Sequence, residues 1–218
     1  MKTIMLPLFT DQLDKERRLV FQQLKAFENN FVLAGGTAIM LQIGHRLSYD
    51  FDCFCETWEL PQNILAKIHK VFGHKIHLKL KTSEMITVST EQKIDVSFVS
   101  HPFKILRPVV KTDSIGLFHL DDLVASKAYT VGRRNTWRDY VDLFYFMKNK
   151  IYTLDKIVKL TKQKFGGEFN EKLFMSQISY FGDINIVPTV FLKEKYTDDE
   201  IKSFFENEVK KYLKKIIK

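Results

Sequence analysis

The sequence predicts an α+β fold, with a strand-and-helix half over residues 1–110 followed by a helical half over residues 111–218. Three observations predict it. A strand, a glycine turn and a helix follow one another between residues 31 and 43. Short period-two runs rich in β-branched residues recur up to residue 99. From Leu120 onward the apolar residues fall at helical spacing.

In chain order, Leu13, Leu19, Val20, Leu24 and Phe27 predict an amphipathic helix over 11–28. Phe31-Val32-Leu33-Ala34 is a short apolar strand, Gly35-Gly36 a turn, and Thr37 to Ile43 the helix that abuts it. Tyr49 to Phe54 alternates polar and apolar side chains, as a half-buried strand does. A helix over 61–72 is expected to start at Pro61, whose fixed φ suits a first helical turn. Strands follow at 75–80, 85–89 and 93–99. In the second half, Asp121 or Asp122 can cap a helix running through Lys127 and Val131, and Trp137 to Met147 forms the next. Residues 155–165, 169–180 and 198–217 continue in that style. The last carries an apolar stripe for packing and a lysine-rich face, which is either solvated or a guide for RNA.

With 45% apolar side chains and 19 phenylalanines, the 218-residue chain can fill a core, which argues against a disordered chain. No apolar run approaches the ~20 residues that span a bilayer, and the N-terminus lacks the order of a secretory signal, so the cytoplasm is the expected location. Cys53 and Cys55 stand two apart and read as reduced sheet residues. The net charge of +8 suits a polyanionic partner as well as a solvated surface.

The chemistry gathers in three places. Asp50 and Asp52, at i and i+2 on a strand, project from one face, and Asp95 on a neighbouring strand can meet them at a spacing suited to a hard divalent cation. Asp95 lies between Ile94 and Val96, where an unpaired carboxylate would be costly. Gly35 and Gly36 let the backbone approach an anion at a helix start, with the Thr37 hydroxyl as a further donor and Arg46 and Ser48 within reach of phosphate oxygens.

The order of these parts resembles the polymerase-β-like nucleotidyltransferases: two small residues in a turn, thirteen residues, Asp50-Phe51-Asp52, then one more acid at Asp95. More narrowly, Leu33-Ala34-Gly35-Gly36-Thr37-Ala38 with Gly44-His45-Arg46-Leu47-Ser48-Tyr49-Asp50-Phe51-Asp52 is similar to the AbiEii/AbiGii toxin nucleotidyltransferases. Leu120 to Lys127, Arg133 and Arg138-Asp139-Tyr140-Val141-Asp142-Leu143 are similar to that family's second half. The resemblance spans about residues 30 to 147.

The resemblance implies a polymerase-β-like mixed sheet flanked by helices, joined to a helical C-terminal domain. It implies transfer of a nucleoside monophosphate from a nucleoside triphosphate, with Mg²⁺ or Mn²⁺, to an acceptor such as tRNA. The setting would be a bacterial toxin–antitoxin or phage-defence system, with an antitoxin as partner. Carried over by position, Asp50 and Asp52 would hold metal, Asp95 would join them and activate the acceptor, and Lys127 would contact the triphosphate. Asp139 or Asp142 matches the later acid; alternatively the two pair with Arg133, Arg134 or Arg138 to dock the helical half. His45 could touch phosphate or nucleobase, but a lone histidine before an arginine is read as polar surface. Two other functions compete: a nucleotide-binding module of the same fold without catalysis, and a metal-dependent nuclease or phosphohydrolase using the same three carboxylates, against which the glycine turn counts.

Overall fold

The computed structural model describes residues 8–131, 133–134 and 136–216. They form an α+β protein of two compact units, Met1–His119 and Leu120–Lys218. Among the described residues no helix is long and apolar enough to cross a membrane.

In the first unit a five-stranded mixed sheet has the order β1-β2-β5-β4-β3, with β1 at Val32–Ala34, β2 at Phe51–Cys55, β3 at His77–Lys81, β4 at Met85–Ser89 and β5 at Asp95–Ser100. Of the four pairs among these strands, β2–β5 is parallel and the other three are antiparallel. Its register sets Phe51 beside Val96, Asp52 beside Ser97 and Cys53 beside Phe98. Alternation therefore divides the sheet into two chemically distinct faces. Phe51, Cys53, Val96 and Phe98 are buried on one; Asp52, Asp95, Ser97 and Thr87 share the other.

Aromatic packing fixes which face is the core. Phe98 meets Phe27 at 4.6 Å and Phe31 at 5.1 Å between ring centroids, and Phe51 stacks on Phe21 at 6.2 Å. Each such side chain contributes about 1.5–3 kcal/mol on burial, so a one-residue slip of β2 would be prohibitive. The polar face is left available for chemistry.

The expected helix over 11–28 is broken into a 3₁₀ turn at Thr10–Gln12, α1 at Lys15–Gln23 and a second 3₁₀ turn at Leu24–Phe27. Asp14 causes the first break: its carboxylate accepts the Arg17 backbone N–H and caps α1. The glycine pair is not a separate turn, because α2 spans Gly35–Ile43 and begins at Gly35 itself. Pro61 lies before α3, which runs Ile64–Phe72, since residues 62–63 make a turn first. Residues 116–118 belong with the sheet: Leu33 N–H donates to Gly116 O, and Phe118 N–H to Leu33 O.

The second unit is helical: α4 Leu120–Thr130, α5 Trp137–Lys148, α6 Leu154–Phe165, α7 Glu171–Gln177 and α8 Asp198–Ile216. Asp121 and Asp122 sit inside the first turn of α4 instead of capping it. Both are buried, with Tyr152 Oη donating to Asp121 at 2.6 Å and Lys164 Nζ to Asp122 at 2.7 Å. Helix 169–180 shortens to α7 because Asn170 caps it, accepting from Leu173 N–H. Along α8, Ile201, Phe205 and Val209 are buried, and Phe205 meets Tyr140 edge-on at 6.1 Å. Residue 217 of the expected last helix lies outside the described residues.

Candidate active site

The polar face of the first unit's sheet brings together most of the residues singled out above. Gly35 has φ +66°, a conformation that side-chain-bearing residues avoid, and a Cβ placed on it would lie 2.1 Å from Asp52 Oδ2. A Cβ on Gly36 would lie 2.7 Å from Ser48 Oγ and 2.9 Å from Arg46 Nη2. Gly35 is thus required by its backbone and by contact with the acid, and Gly36 sits close against the hydroxyl and guanidinium of the signature segment. The N-cap residue of α2 is Ala34, whose methyl offers no acceptor to the first-turn N–H groups. Such a helix start can accept an anion from elsewhere.

Arg46 and Ser48 are buried, the latter with its carbonyl accepting from Arg17 Nη1 at 2.6 Å. Thr37 is buried as well. Its hydroxyl donates to the Asp50 carbonyl at 2.5 Å, so it fixes the backbone of the carboxylate segment and is not turned to solvent as a phosphate donor. His45, read as polar surface, is fully buried. Arg17 carried no signal in the sequence; its Nε bonds Asp14 at 2.9 Å at the start of α1, and its bond to Ser48 ties α1 to the signature segment.

The carboxylates differ in their surroundings. Asp50 precedes β2 and is exposed, Asp52 is half-buried against Gly35, and Asp95 opens β5 on the same face. Lys79 of β3 holds Asp95 Oδ2 at 2.5 Å across the sheet. Among the described residues no group of three Asp, Glu, His or Cys side chains stands ready to hold a metal ion. Magnesium rarely needs one: it is usually held by one or two carboxylates together with substrate phosphates and water. The exposed Asp50 and the Asp52 carboxylate beside the α2 start fit that habit, while Asp95 would have to exchange Lys79 for it.

Lys127, Asp139 and Asp142 lie in the second unit, as a buried charge cluster. Lys127 Nζ bonds Asp139 Oδ1 at 2.6 Å and Asp142 Oδ2 at 2.7 Å. Arg134 grips Asp139 through two bonds of 2.8 and 3.0 Å. Burial pushes the Asp139 carboxyl up, but the charges of Lys127 and Arg134 outweigh it and hold the group below its ordinary range. The two aspartates therefore share one cation, and of the three arginines proposed as partners Arg134 is bound to Asp139. Two of the three donors of the Lys127 ammonium are used in these bonds.

A family model described as the nucleotidyl transferase AbiEii toxin of type IV toxin–antitoxin systems matches residues 18–217. An uncharacterized protein of Aquifex aeolicus is 26% identical over 219 residues, covering 93% of this chain and 98% of its own. The crystal structure of a candidate nucleotidyltransferase from H. pylori is similar at a TM-score of 0.60 and 17% identity, over 94% of this chain and 99% of that one. The crystal structure of JHP933 from Helicobacter pylori is similar at 0.54 and 18% identity, over 92% and 93% of the two chains. At these identities the two structures speak for the fold.

Proposed function

Because the chain belongs to the AbiEii family of nucleotidyltransferase toxins, we propose that it moves a nucleoside monophosphate from a nucleoside triphosphate to an RNA acceptor, with tRNA the leading candidate. The observation that carries this is the fit of Gly35 and Gly36 against Asp52, Ser48 and Arg46. It sets an uncapped helix start, a guanidinium and a carboxylate around one point, which suits a triphosphate with its metal better than a simple hydrolytic water.

In this reading the first-turn N–H groups of α2, Ser48 and Arg46 take the outer phosphates, leaving the α-phosphate toward Asp50 and Asp52. Mg²⁺ or Mn²⁺ bound by Asp50 and Asp52 with phosphate oxygens would supply charge neutralisation for the developing oxyanions. The acceptor hydroxyl attacks the α-phosphorus, a new O–P bond forms, and the bond to the pyrophosphate oxygen breaks. Asp95 accepts the hydroxyl proton and passes it to water. For Lys127, bonded to Asp139 and Asp142 within the second unit, a role toward the triphosphate rests on the family resemblance alone.

The biological setting proposed is that of the family: a toxin of a toxin–antitoxin or phage-defence system, restrained by an antitoxin and acting in the cytoplasm. The test incubates the protein with each α-labelled nucleoside triphosphate, Mg²⁺, and total RNA and protein, scoring label in each fraction and pyrophosphate release. Label in RNA, lost with Asp50→Ala and Lys127→Ala, supports the proposal. Triphosphate binding without pyrophosphate release would favour an inactive binding module of the same fold.

A further inference from the structure

The carboxylate face does not end at Asp95. Strand register carries it outward: Asp95 lies opposite Ser89 of β4, and Ser89 opposite His77 of β3. In the next row Ser97 lies opposite Thr87, and Thr87 opposite Leu80. The register shifts between Leu78 and Leu80, which places a bulge at Lys79. From that bulge its ammonium reaches back across β4 to Asp95 Oδ2 at 2.5 Å.

The face is thus divided electrically. β2 and β5 bring Asp52 and Asp95 to it, whereas β3 and β4 contain no acid and add His77, Lys79, Thr87 and Ser89. β3 is an edge strand, exposed along its whole length. Lysines and a bulge on such an edge also discourage pairing with other chains. Lys81 meets that need from the other side of the sheet, where it lies opposite the buried Ile86. Edge protection calls only for charge in water. It gives no reason for Lys79 to cover the carboxylate assigned to the acceptor's proton.

We infer that Lys79 is the contact for a phosphate of the acceptor strand, and that it leaves Asp95 to make this contact. The inference rests on the RNA-transfer reading and deepens it. The two side chains are 45% and 29% exposed, so a phosphate can approach from solvent, and a pair this exposed is weak enough to exchange. A polyanionic strand laid over β3 and β4 meets hydroxyls and cations and brings its end toward Asp95. Before the acceptor arrives Lys79 masks that carboxylate; afterwards Asp95 is left to take the hydroxyl proton.

The test measures binding of fluorescently labelled total tRNA to the full chain, in EDTA and without triphosphate, over a range of salt. Lys79→Ala should weaken binding roughly 3- to 10-fold near about 50 mM salt and reduce the slope of log affinity against log salt by about 0.7, the share of one phosphate contact on a single strand. Lys79→Arg should keep the slope. Lys81→Ala, on the other side of the sheet, should leave affinity and slope nearly unchanged. Asp95→Asn frees Lys79 and should tighten binding, and adding Lys79→Ala to it should abolish the gain.

Parent-like affinity and slope in Lys79→Ala overturn the inference. So does an equal loss in Lys81→Ala, the mark of diffuse attraction to the strand, and so does a gain from Asp95→Asn that survives Lys79→Ala, the mark of lost repulsion alone. Because binding is read without turnover, the two readings part cleanly. RNA labelling by the parent together with parent-like tRNA binding by Lys79→Ala removes only the role of Lys79, whereas a parent that binds no tRNA removes the RNA acceptor with it.

Discussion

Gly35 and Asp52 meet where α2 begins, so closely that a methyl group on Gly35 would fall 2.1 Å from Asp52 Oδ2. The backbone at Gly35, φ +66°, adds a second reason for glycine. Gly35→Ala should therefore strain the chain by about 1–3 kcal/mol and displace the carboxylate as well. Thermal unfolding should show the first effect and nucleotide transfer the second, at a temperature where the variant is still folded. Wild-type transfer by folded Gly35→Ala would remove Asp52 from the chemistry. Gly36→Ala presses instead on the ends of two side chains, Ser48 and Arg46, which can give way. Its expected defect is a higher KM for the triphosphate with little loss of stability.

The Lys79–Asp95 pair joins two strands at 2.5 Å, with both side chains part-exposed. Pairs of this kind contribute about 0–1 kcal/mol, so Lys79→Ala should leave the melting temperature nearly unchanged. Its effect should be electrostatic. Removing one positive charge beside Asp95 strengthens the attraction of the carboxylate face for a divalent cation, and the Mg²⁺ concentration for half-maximal transfer should fall roughly threefold or more. An unchanged Mg²⁺ midpoint would place Asp95 outside the metal's field.

Cys53 is buried on the core face of β2, and desolvation, with the charge of Asp52 next to it, holds its thiol well above the ordinary range. The thiolate is the reactive form, so Cys53 should resist alkylation at neutral pH in the folded protein and react at once in denaturant. Peptide mapping after a short iodoacetamide pulse reads this directly. Rapid labelling of native Cys53 would mean that β2 opens far more readily than its packing suggests.

Much of this architecture was legible because it rests on period. The alternation in Tyr49 to Phe54 announces a strand with Asp52 on the face opposite Phe51 and Cys53, and the stripe Ile201, Phe205, Val209 announces the packed side of α8. What was not legible depends on partners distant in the chain. Thr37 follows two glycines at a helix start, where a hydroxyl suits a phosphate, but the Asp50 carbonyl thirteen residues on claims it. Asp121 and Asp122 have the chemistry of caps, yet Tyr152 and Lys164, 31 and 42 residues away, turn them into core groups. Lys79 gave no sign of its hold on Asp95, which arises from strand order alone. Arg17 reads as one charge among several on α1, and only the fold shows that it reaches Ser48.

The Lys127–Asp139–Asp142 cluster makes a last prediction in which sign matters. Both aspartates and the lysine are almost fully buried, so Lys127→Met leaves carboxylates without their shared cation and should cost about 3–5 kcal/mol in unfolding free energy. Asp139→Asn should cost less, because Lys127 keeps Asp142. The carboxyl of Asp139 is held below its ordinary value in the folded chain, so the unfolded chain binds its proton first as the solution is acidified. The stability it contributes is complete above the unfolded value, near pH 4, and is lost as pH falls from there through the lower folded value. Denaturant unfolding of the wild type from pH 5 to pH 2 should show this decline, and Asp139→Asn should flatten it. If Lys127 also serves the triphosphate, Asp139→Asn should raise the triphosphate KM at pH 7, where its stability loss is tolerated. A variant with a flattened acid limb and an unchanged KM would confine the cluster to holding α4 against α5.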